Sequence, residues 1–230
     1  MQTAFRIEHD FLGEREIPAA AYYGIQTLRA MENFHITGIT NMSEPLFIRA
    51  FAFVKKAAAM ANRHLLVLDP KIADAIIFAC DELIAGKFHD QFTTDLIQGG
   101  AGTSVNMNAN EVIANIGLEY LGYEKGQYEF LHPNNHVNCS QSTNDTYPTA
   151  IMMAVYLKVD MYLDTLKDLK ESFSAKSKEF KDVLKMGRTQ LQDAVPMTLG
   201  QEFNGFATTI GDDIKHLKEA QKKLLECNMG

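Results

Sequence analysis

Apolar side chains recur at alternating steps of three and four through Met152, Val155, Val159, Tyr162, Leu166, Leu169, Phe173, Phe180 and Val183. Only Lys176 breaks the seam. Spacing sustained over about four heptads predicts a long helix packed nearly parallel to others in a bundle. A second line follows Pro196, through Leu199, Phe203, Phe206, Ile210, Leu217 and Leu224. Residues 186–196, between the two lines, are expected as a polar turn. A helix of roughly 40 residues would extend about 60 Å, longer than a domain of this size. Its seam needs more partners than one chain offers, so oligomerisation through the bundle is expected.

Upstream the signals are shorter. Gly13, Pro18, Gly24 and Gly38 break any period, so residues 1–42 are expected to be irregular. Ser43 is a candidate N-cap with Pro45 in the first turn, and Leu46, Ala50, Phe53, Ala57 and Met60 follow at helical spacing. Asp69-Pro70 repeats that start signal, with Ile72, Ile76 and Leu83 as the apolar line of a helix ending near Gly86. A third helix follows Gly99-Gly-Ala-Gly102 and runs to about Leu121, and a loop occupies 122–144. Strand signals are weak throughout, so the fold class is mainly α. Residues 1–144 form a small N-terminal helical domain in this reading, and 145–230 begin a long-helix bundle.

Composition narrows the function. The chain has 230 residues, 46% hydrophobic and 22% charged, enough to bury a core. With 22 basic against 29 acidic residues, and no basic stripe to offset a net charge of -7, nucleic acid and anionic membranes are poor partners. Cys80, Cys139 and Cys227 are odd in number and far apart, which favours buried free thiols over disulfides. The first ten residues lack the apolar segment of a signal peptide, and no apolar stretch approaches bilayer-spanning length. The expectation is a soluble, cytoplasmic protein.

Three polar clusters carry the chemistry. Gln98-Gly-Gly-Ala-Gly-Thr-Ser104 sits where a helix begins, so free backbone N–H groups and the helix dipole favour an anion there. It lacks the Gly-Lys-Ser/Thr ending of a P-loop and the glycine spacing of a dinucleotide fingerprint. Ser140-Gln-Ser-Thr-Asn-Asp145 precedes the long helix; capping needs one such residue and the whole run is polar. Gly187-Arg-Thr-Gln-Leu-Gln-Asp193 lies between the two seams, richer in donors than a turn requires. His132, His136 and Cys139 lack a fourth ligand, and Pro133 keeps the histidines off one helix face, so they are read as hydrogen-bonded loop residues. Neither metal nor cofactor is expected. A dense set of neutral donors is what holds a small anion and stabilises charge appearing on it.

Taken together, the clusters resemble the aspartase/fumarase superfamily. The resemblance rests on Gly100-Ala-Gly-Thr-Ser-Val-Asn-Met-Asn-Ala-Asn-Glu111, His132-Pro-Asn-Asn-His-Val-Asn-Cys-Ser-Gln-Ser-Thr-Asn-Asp145 and Gly187-Arg-Thr-Gln-Leu-Gln-Asp-Ala-Val-Pro-Met-Thr-Leu-Gly-Gln-Glu202. The opening Tyr22-Tyr-Gly-Ile-Gln-Thr-Leu-Arg-Ala-Met-Glu-Asn-Phe34 is similar too, and the likeness covers nearly the whole chain. Hydratases of the family typically carry His after the Arg-Thr pair, where this chain has Gln190, and Ser-Ser where it has Ser142-Thr143. Val195-Pro-Met also follows the ammonia-lyase pattern, so the resemblance points to that branch.

What it implies is concrete. Removing the C3 proton of L-aspartate gives an aci-carboxylate dianion before ammonia leaves. Donors that tighten on the dianion lower the barrier by about 3 kcal/mol each. By resemblance, Thr103, Ser142 and Thr143 hold that carboxylate, while Asn144, Thr189 and Gln190 surround the amino group and the other carboxylate. Arg29 is a further anion contact. Family members are longer, and a glycine/serine-rich loop with a Met-Pro-x-Lys-x-Asn segment supplies the general-base serine and a binding lysine, both expected beyond Gly230. Their sites are built from three subunits of a homotetramer. The chain is thus expected to be the N-terminal part of an enzyme and inactive alone. Fumarate hydration and a non-catalytic helical assembly are the competing readings.

Overall fold

The computed structural model describes residues 4–228; the opening Met-Gln-Thr, considered above for a signal peptide, and the closing Met229-Gly230 lie outside the described residues. Helices dominate, and they fall in two compact units. One extends to Ala154 and takes in Cys227 and Asn228; the other is Val155–Glu226.

In the first unit the stretch expected to be irregular is ordered. β1 (Phe5–Asp10) and β2 (Gly13–Pro18) form an antiparallel hairpin, followed by helix α1 (Ile25–Asn33). The strand was hard to read because its alternation is inverted. Phe5 and Ile7 face solvent, while Glu8 is buried and Arg6 lies nearly so. Arg6 satisfies its donors internally: Nη1 donates to the carbonyls of Pro18 (3.1 Å) and Ala21 (2.7 Å), Nη2 to Tyr23 (2.7 Å), and Nε to Glu8 Oε1 (2.8 Å).

Helix α2 (Pro45–His64) starts behind Glu44, not at Ser43, whose hydroxyl instead closes a short turn onto Thr40 O (2.8 Å). Pro45 occupies the first helical position, where a missing N–H costs nothing. Asp69 caps α3 (Pro70–Ile84) as expected, accepting from the N–H groups of Lys71 (2.8 Å) and Ile72 (3.4 Å). Helix α4 (Thr103–Tyr120) is buried almost without break from Val105 to Leu118. A helix enclosed on every side needs no polar face, which is why its residues show little amphipathic pattern. Phe51 and Ile48 of α2, Ile76 and Leu83 of α3, and Val105, Ile113 and Leu118 of α4 form the core with Phe92 and Leu131. Cys80 belongs to this core, whereas Cys139 is half-buried and Cys227 exposed. All three are free, but only one matches the expected buried thiol.

The 122–144 connection contains one π-helical turn, Pro133–Val137, and leads into α5 (Thr143–Glu179). At 37 residues α5 spans about 55 Å. Pro148 lies inside its first turns and has no N–H for the carbonyl of Asn144; Asn228 Nδ2 donates to that oxygen instead (2.6 Å).

The second unit holds the rest of α5, the β3 (Leu184–Thr189) and β4 (Gln192–Thr198) hairpin, and α6 (Leu199–Lys223). The expected seam is cut short, because α5 ends at Glu179 before Phe180 and Val183. The expected polar turn over 186–196 is in fact this hairpin. Its two-residue tip, Gln190-Leu191, puts both residues at positive φ (+51° and +65°), the geometry that matches strand twist but favours Asn-Gly. No Asn-Gly marked it in the sequence. Thr198 and Gln201 form a reciprocal capping box at the start of α6. Leu163 and Leu166 pack on Ile214, flanked by Val159, Ile210 and Leu217, while Val155, Tyr162 and Leu169 remain exposed. Among the described residues no helix is long and apolar enough to cross a membrane.

Candidate active site

Helices α4 and α5 begin side by side. At the start of α4 the chain turns through Gly100 (φ +69°), Ala101 (+50°) and Gly102 (+90°) before Thr103. The ring of Tyr147, one turn into α5, lies directly against Gly102, and a Cβ built there would overlap it. Gly102→Ala is therefore expected to combine strain at positive φ with a clash and to separate the two helix starts. Its check is a thermal melt, destabilised by about 2 kcal/mol or more.

The donors at this junction are set by neighbours. Ser142 Oγ accepts from the Asn144 N–H (3.1 Å), and the Ser142 N–H donates to Asp145 Oδ2 (2.9 Å), so Ser142 caps the first turn of α5. Thr143 Oγ1 accepts from Asn106 Nδ2 (3.0 Å). Both hydroxyls thus receive a bond from the protein and keep their own hydrogen for another acceptor. Thr103 differs, because its hydroxyl donates to Gly100 O (2.7 Å) and must rotate to serve an anion. Ser142, Asn144 and Thr103 are exposed, and Thr143 is half-buried. Gln98, in the same cluster, accepts from the Val105 N–H through Oε1 (2.8 Å).

Behind these residues lies a buried amide network that the sequence reading missed. Asn106, Asn108, Asn110 and Asn115 of α4 are all buried. Asn138 Oδ1 accepts from Lys55 Nζ (2.9 Å), Asn106 Nδ2 (3.1 Å) and Asn110 Nδ2 (3.2 Å), while its Nδ2 donates to Gln141 O (2.9 Å). Thr146 Oγ1 donates to Asn106 Oδ1 (3.1 Å). Lys55 is wholly buried, which pushes its ammonium down to about 7. The available signal was compositional. Asparagines are poor helix formers, and a run of them in an apolar helix implies work for their side chains.

A second omission is Glu111. Its carboxylate accepts from the N–H groups of Gly24 (2.9 Å), Gln26 (2.7 Å) and Thr27 (3.1 Å) and from Thr27 Oγ1 (2.6 Å). Glu8 Oε2 takes the intervening N–H of Ile25 (2.8 Å). Two buried carboxylates from distant segments therefore cap α1, whose N-cap, Gly24, has no side chain to do so. A Cβ at Gly24 would press on Glu8, Tyr128 and Glu111. Burial, then the nearby Glu8 charge, push the Glu111 carboxyl up to about 7 against the pull of its donors.

Arg29 was expected as an anion contact, but Asp10 engages its guanidinium with two bonds, from Nε and Nη2 (both 2.7 Å). That pairing holds the Asp10 carboxyl below its usual range and engages two of the three guanidinium nitrogens. His132 and His136 are hydrogen-bonded, though closer than Pro133 suggested. His136 Nδ1 accepts from the His132 N–H (2.9 Å), and His132 Nδ1 accepts from the N–H groups of Asn134 and Asn135 (3.0 and 3.3 Å). Both line a cleft of about 450 Å³ with Glu8, His9 and Tyr128. Burial lowers both imidazole pKa values, and His136 lowers that of His132 further.

Thr189 and Gln190 belong to the second unit, exposed at the tip of the β3–β4 hairpin, where Arg188 Nε donates to Asp193 Oδ1 (3.2 Å). Gln190 holds a left-handed backbone that a glutamine adopts at a cost of about 1 kcal/mol.

The starts of α4 and α5 thus present uncharged hydroxyls side by side on a mainly helical scaffold. The model of a family described as lyase matches residues 13–230. The chain is 57% identical over 225 residues to aspartate ammonia-lyase of Helicobacter pylori J99, covering 98% of this chain and 48% of that protein. For aspartate ammonia-lyase of Escherichia coli K12 the identity is 54% over 231 residues, covering 100% and 48%. A solved fumarate lyase:delta crystallin from Brucella melitensis bound to cobalt superposes with TM-score 0.96 at 52% identity, over 99% of this chain and 49% of that one. Class II fumarase from Schistosoma mansoni gives 0.88 at 33%, over 97% and 47%.

The chain belongs to this lyase family, the aspartase/fumarase superfamily. It spans about half the length of the curated relatives it matches.

Proposed function

We propose that the intact protein carrying this chain deaminates L-aspartate to fumarate and ammonia, and that this chain supplies the neutral donors of its site. The observation that carries the reading is the junction of α4 and α5. Asn106 bonds to Thr143 and Tyr147 packs on Gly102, which brings the Thr103 and Ser142–Asn144 segments together with two hydroxyl hydrogens free to donate. The identities to proteins named aspartate ammonia-lyase support the choice of substrate.

In this proposal Thr103, Ser142 and Thr143 hold the carboxylate on which charge accumulates when the C3 proton leaves. Hydroxyls are uncharged, so they bind the ground-state monoanion weakly and the dianion more strongly, which lowers the barrier instead of deepening the bound state. Asn144, Thr189 and Gln190 surround the amino group and the remaining carboxylate. The general-base serine is expected from a part of the protein outside this chain. We also propose a cytoplasmic homotetramer whose subunits meet along the long helices. Exposed Val155, Met161, Tyr162 and Leu169 of α5 and Phe206 of α6 are the apolar side chains such an interface would cover. Tyr162→Glu with Leu169→Glu is expected to reduce the assembly to smaller species by light scattering, with the helical circular-dichroism signal retained.

The direct test incubates the intact protein with L-aspartate and, separately, with fumarate. Ammonia and fumarate should form from the first. If instead malate forms from fumarate and no ammonia from aspartate, the hydratase reading, favoured by the likeness to class II fumarase, replaces this one.

A further inference from the structure

Lys55 brings a charge into the buried amide network, and nothing in the proposed chemistry uses it. It reaches from α2 with zero exposure and donates to Asn138 Oδ1 (2.9 Å). A protonated lysine only donates, so it meets the Asn138 oxygen. Gln141 O accepts from Asn138 Nδ2 (2.9 Å), so the lysine and this carbonyl together set which way that amide faces. Asn106 and Asn110 must then present Nδ2 to the same oxygen, as they do. At the other end of the Asn106 amide, Thr146 Oγ1 donates to Oδ1 (3.1 Å), the shorter of its two contacts, the other being Ser142 O at 3.4 Å. The Asn106 Nδ2 is left facing Thr143 Oγ1 at 3.0 Å. A hydroxyl oxygen that accepts an N–H keeps its own hydrogen for another partner.

We propose that Lys55 is a positioning residue. Through Asn138 and Asn106 it fixes the hydrogen-bond direction of Thr143, so that this hydroxyl donates to the substrate carboxylate. The inference rests on the aspartate-lyase reading above and adds to it the group that sets a donor's polarity. Burial draws the lysine down to about 7; the ammonium can only donate to Asn138, and the neutral amine keeps an N–H for it while the Gln141 carbonyl holds the amide's other end.

The test compares the intact wild-type protein with Thr143→Val, Lys55→Met and the double variant, reading kcat and KM for L-aspartate and thermal unfolding. Thr143→Val should lower kcat about 100-fold. Lys55→Met should lower kcat by roughly tenfold or more with KM changed less, because a misdirected donor is missed most in the transition state. In the double variant kcat should fall no further than with Thr143→Val alone, since both changes remove the same bond. A lysine that served stability alone would lower the melting temperature and leave kcat per folded molecule intact, or its effect would multiply with that of Thr143→Val. Either result overturns the proposal.

Should Lys55→Met fail to fold, Asn106→Asp is the second variant. It puts an acceptor where Nδ2 stands, so the Thr143 hydroxyl turns toward it, and kcat should drop to the Thr143→Val level; wild-type kcat would overturn the relay. Failure of the underlying reading is separate. It shows as no ammonia from the wild type, or as wild-type kcat in Thr143→Val, and it removes the proposal with it.

Discussion

Thr143→Val in the intact protein is expected to lower kcat for L-aspartate about 100-fold, with a much smaller change in KM. Valine keeps the shape and β-branching of threonine, so the start of α5 is preserved. In the proposed mechanism, what disappears is one donor to the carboxylate as it gains its second charge. Losing one such donor costs roughly 10² to 10³ in rate when the site is preorganised. Asn106 Nδ2 donates to the Thr143 hydroxyl oxygen, which holds that oxygen in place and leaves its hydrogen free for an acceptor. A rise in KM with unchanged kcat would mean that Thr143 binds substrate and transition state alike.

The second large effect concerns stability. Glu111→Ala is expected to destabilise the protein by about 4 kcal/mol, read as a shift in the chemical-denaturation midpoint. The change strips the acceptor from three backbone N–H groups and the Thr27 hydroxyl at the start of α1, within a site that excludes water. Glu111→Gln should cost less, since an amide oxygen retains part of the cap. The variant also exposes a pH dependence. In the folded protein burial raises this carboxyl from 4.5 to about 7, so between those values the folded state binds more protons than the unfolded. Its contribution is thus fully present below about pH 4.5 and is lost as pH rises through about 7. The stability difference between wild type and Glu111→Gln should shrink as pH rises across that window. A constant difference would show that Glu111 keeps one protonation state throughout.

The parts of this fold that could be read ahead were those governed by local rules. Asp69-Pro70 starts α3 because a carboxylate can reach two free N–H groups and proline needs none. The glycines at 99–102 precede α4 because the turn passes through left-handed backbone. The elements that escaped depend on distant partners. β1 looks unlike a strand because its inward side chains are Arg6 and Glu8, whose burial makes sense only once α1 offers its N-terminus. The β3–β4 hairpin was hidden by a Gln-Leu tip and by strands with mostly exposed side chains.

The site was legible to a different degree. The clusters around Thr103 and Ser142 announced themselves by density of hydroxyls and amides. The residues that aim them did not, because Asn106, Asn138 and Lys55 lie on three separate segments and only the fold joins them. Val155, Tyr162 and Leu169 follow the heptad spacing yet are exposed on this chain. Heptad periodicity marks the apolar face of a helix and does not say which part of it this chain itself covers.

The most direct measurement titrates two unreactive ligands into the intact protein, wild type and Thr143→Val: succinate, resembling the ground state, and a nitronate analogue of aspartate, resembling the dianion. If uncharged hydroxyls act by gripping the dianion, wild type binds the nitronate far more tightly than succinate. Thr143→Val should then lose most of that preference while still binding succinate. Equal losses for both ligands, or no preference in the wild type, would contradict the account.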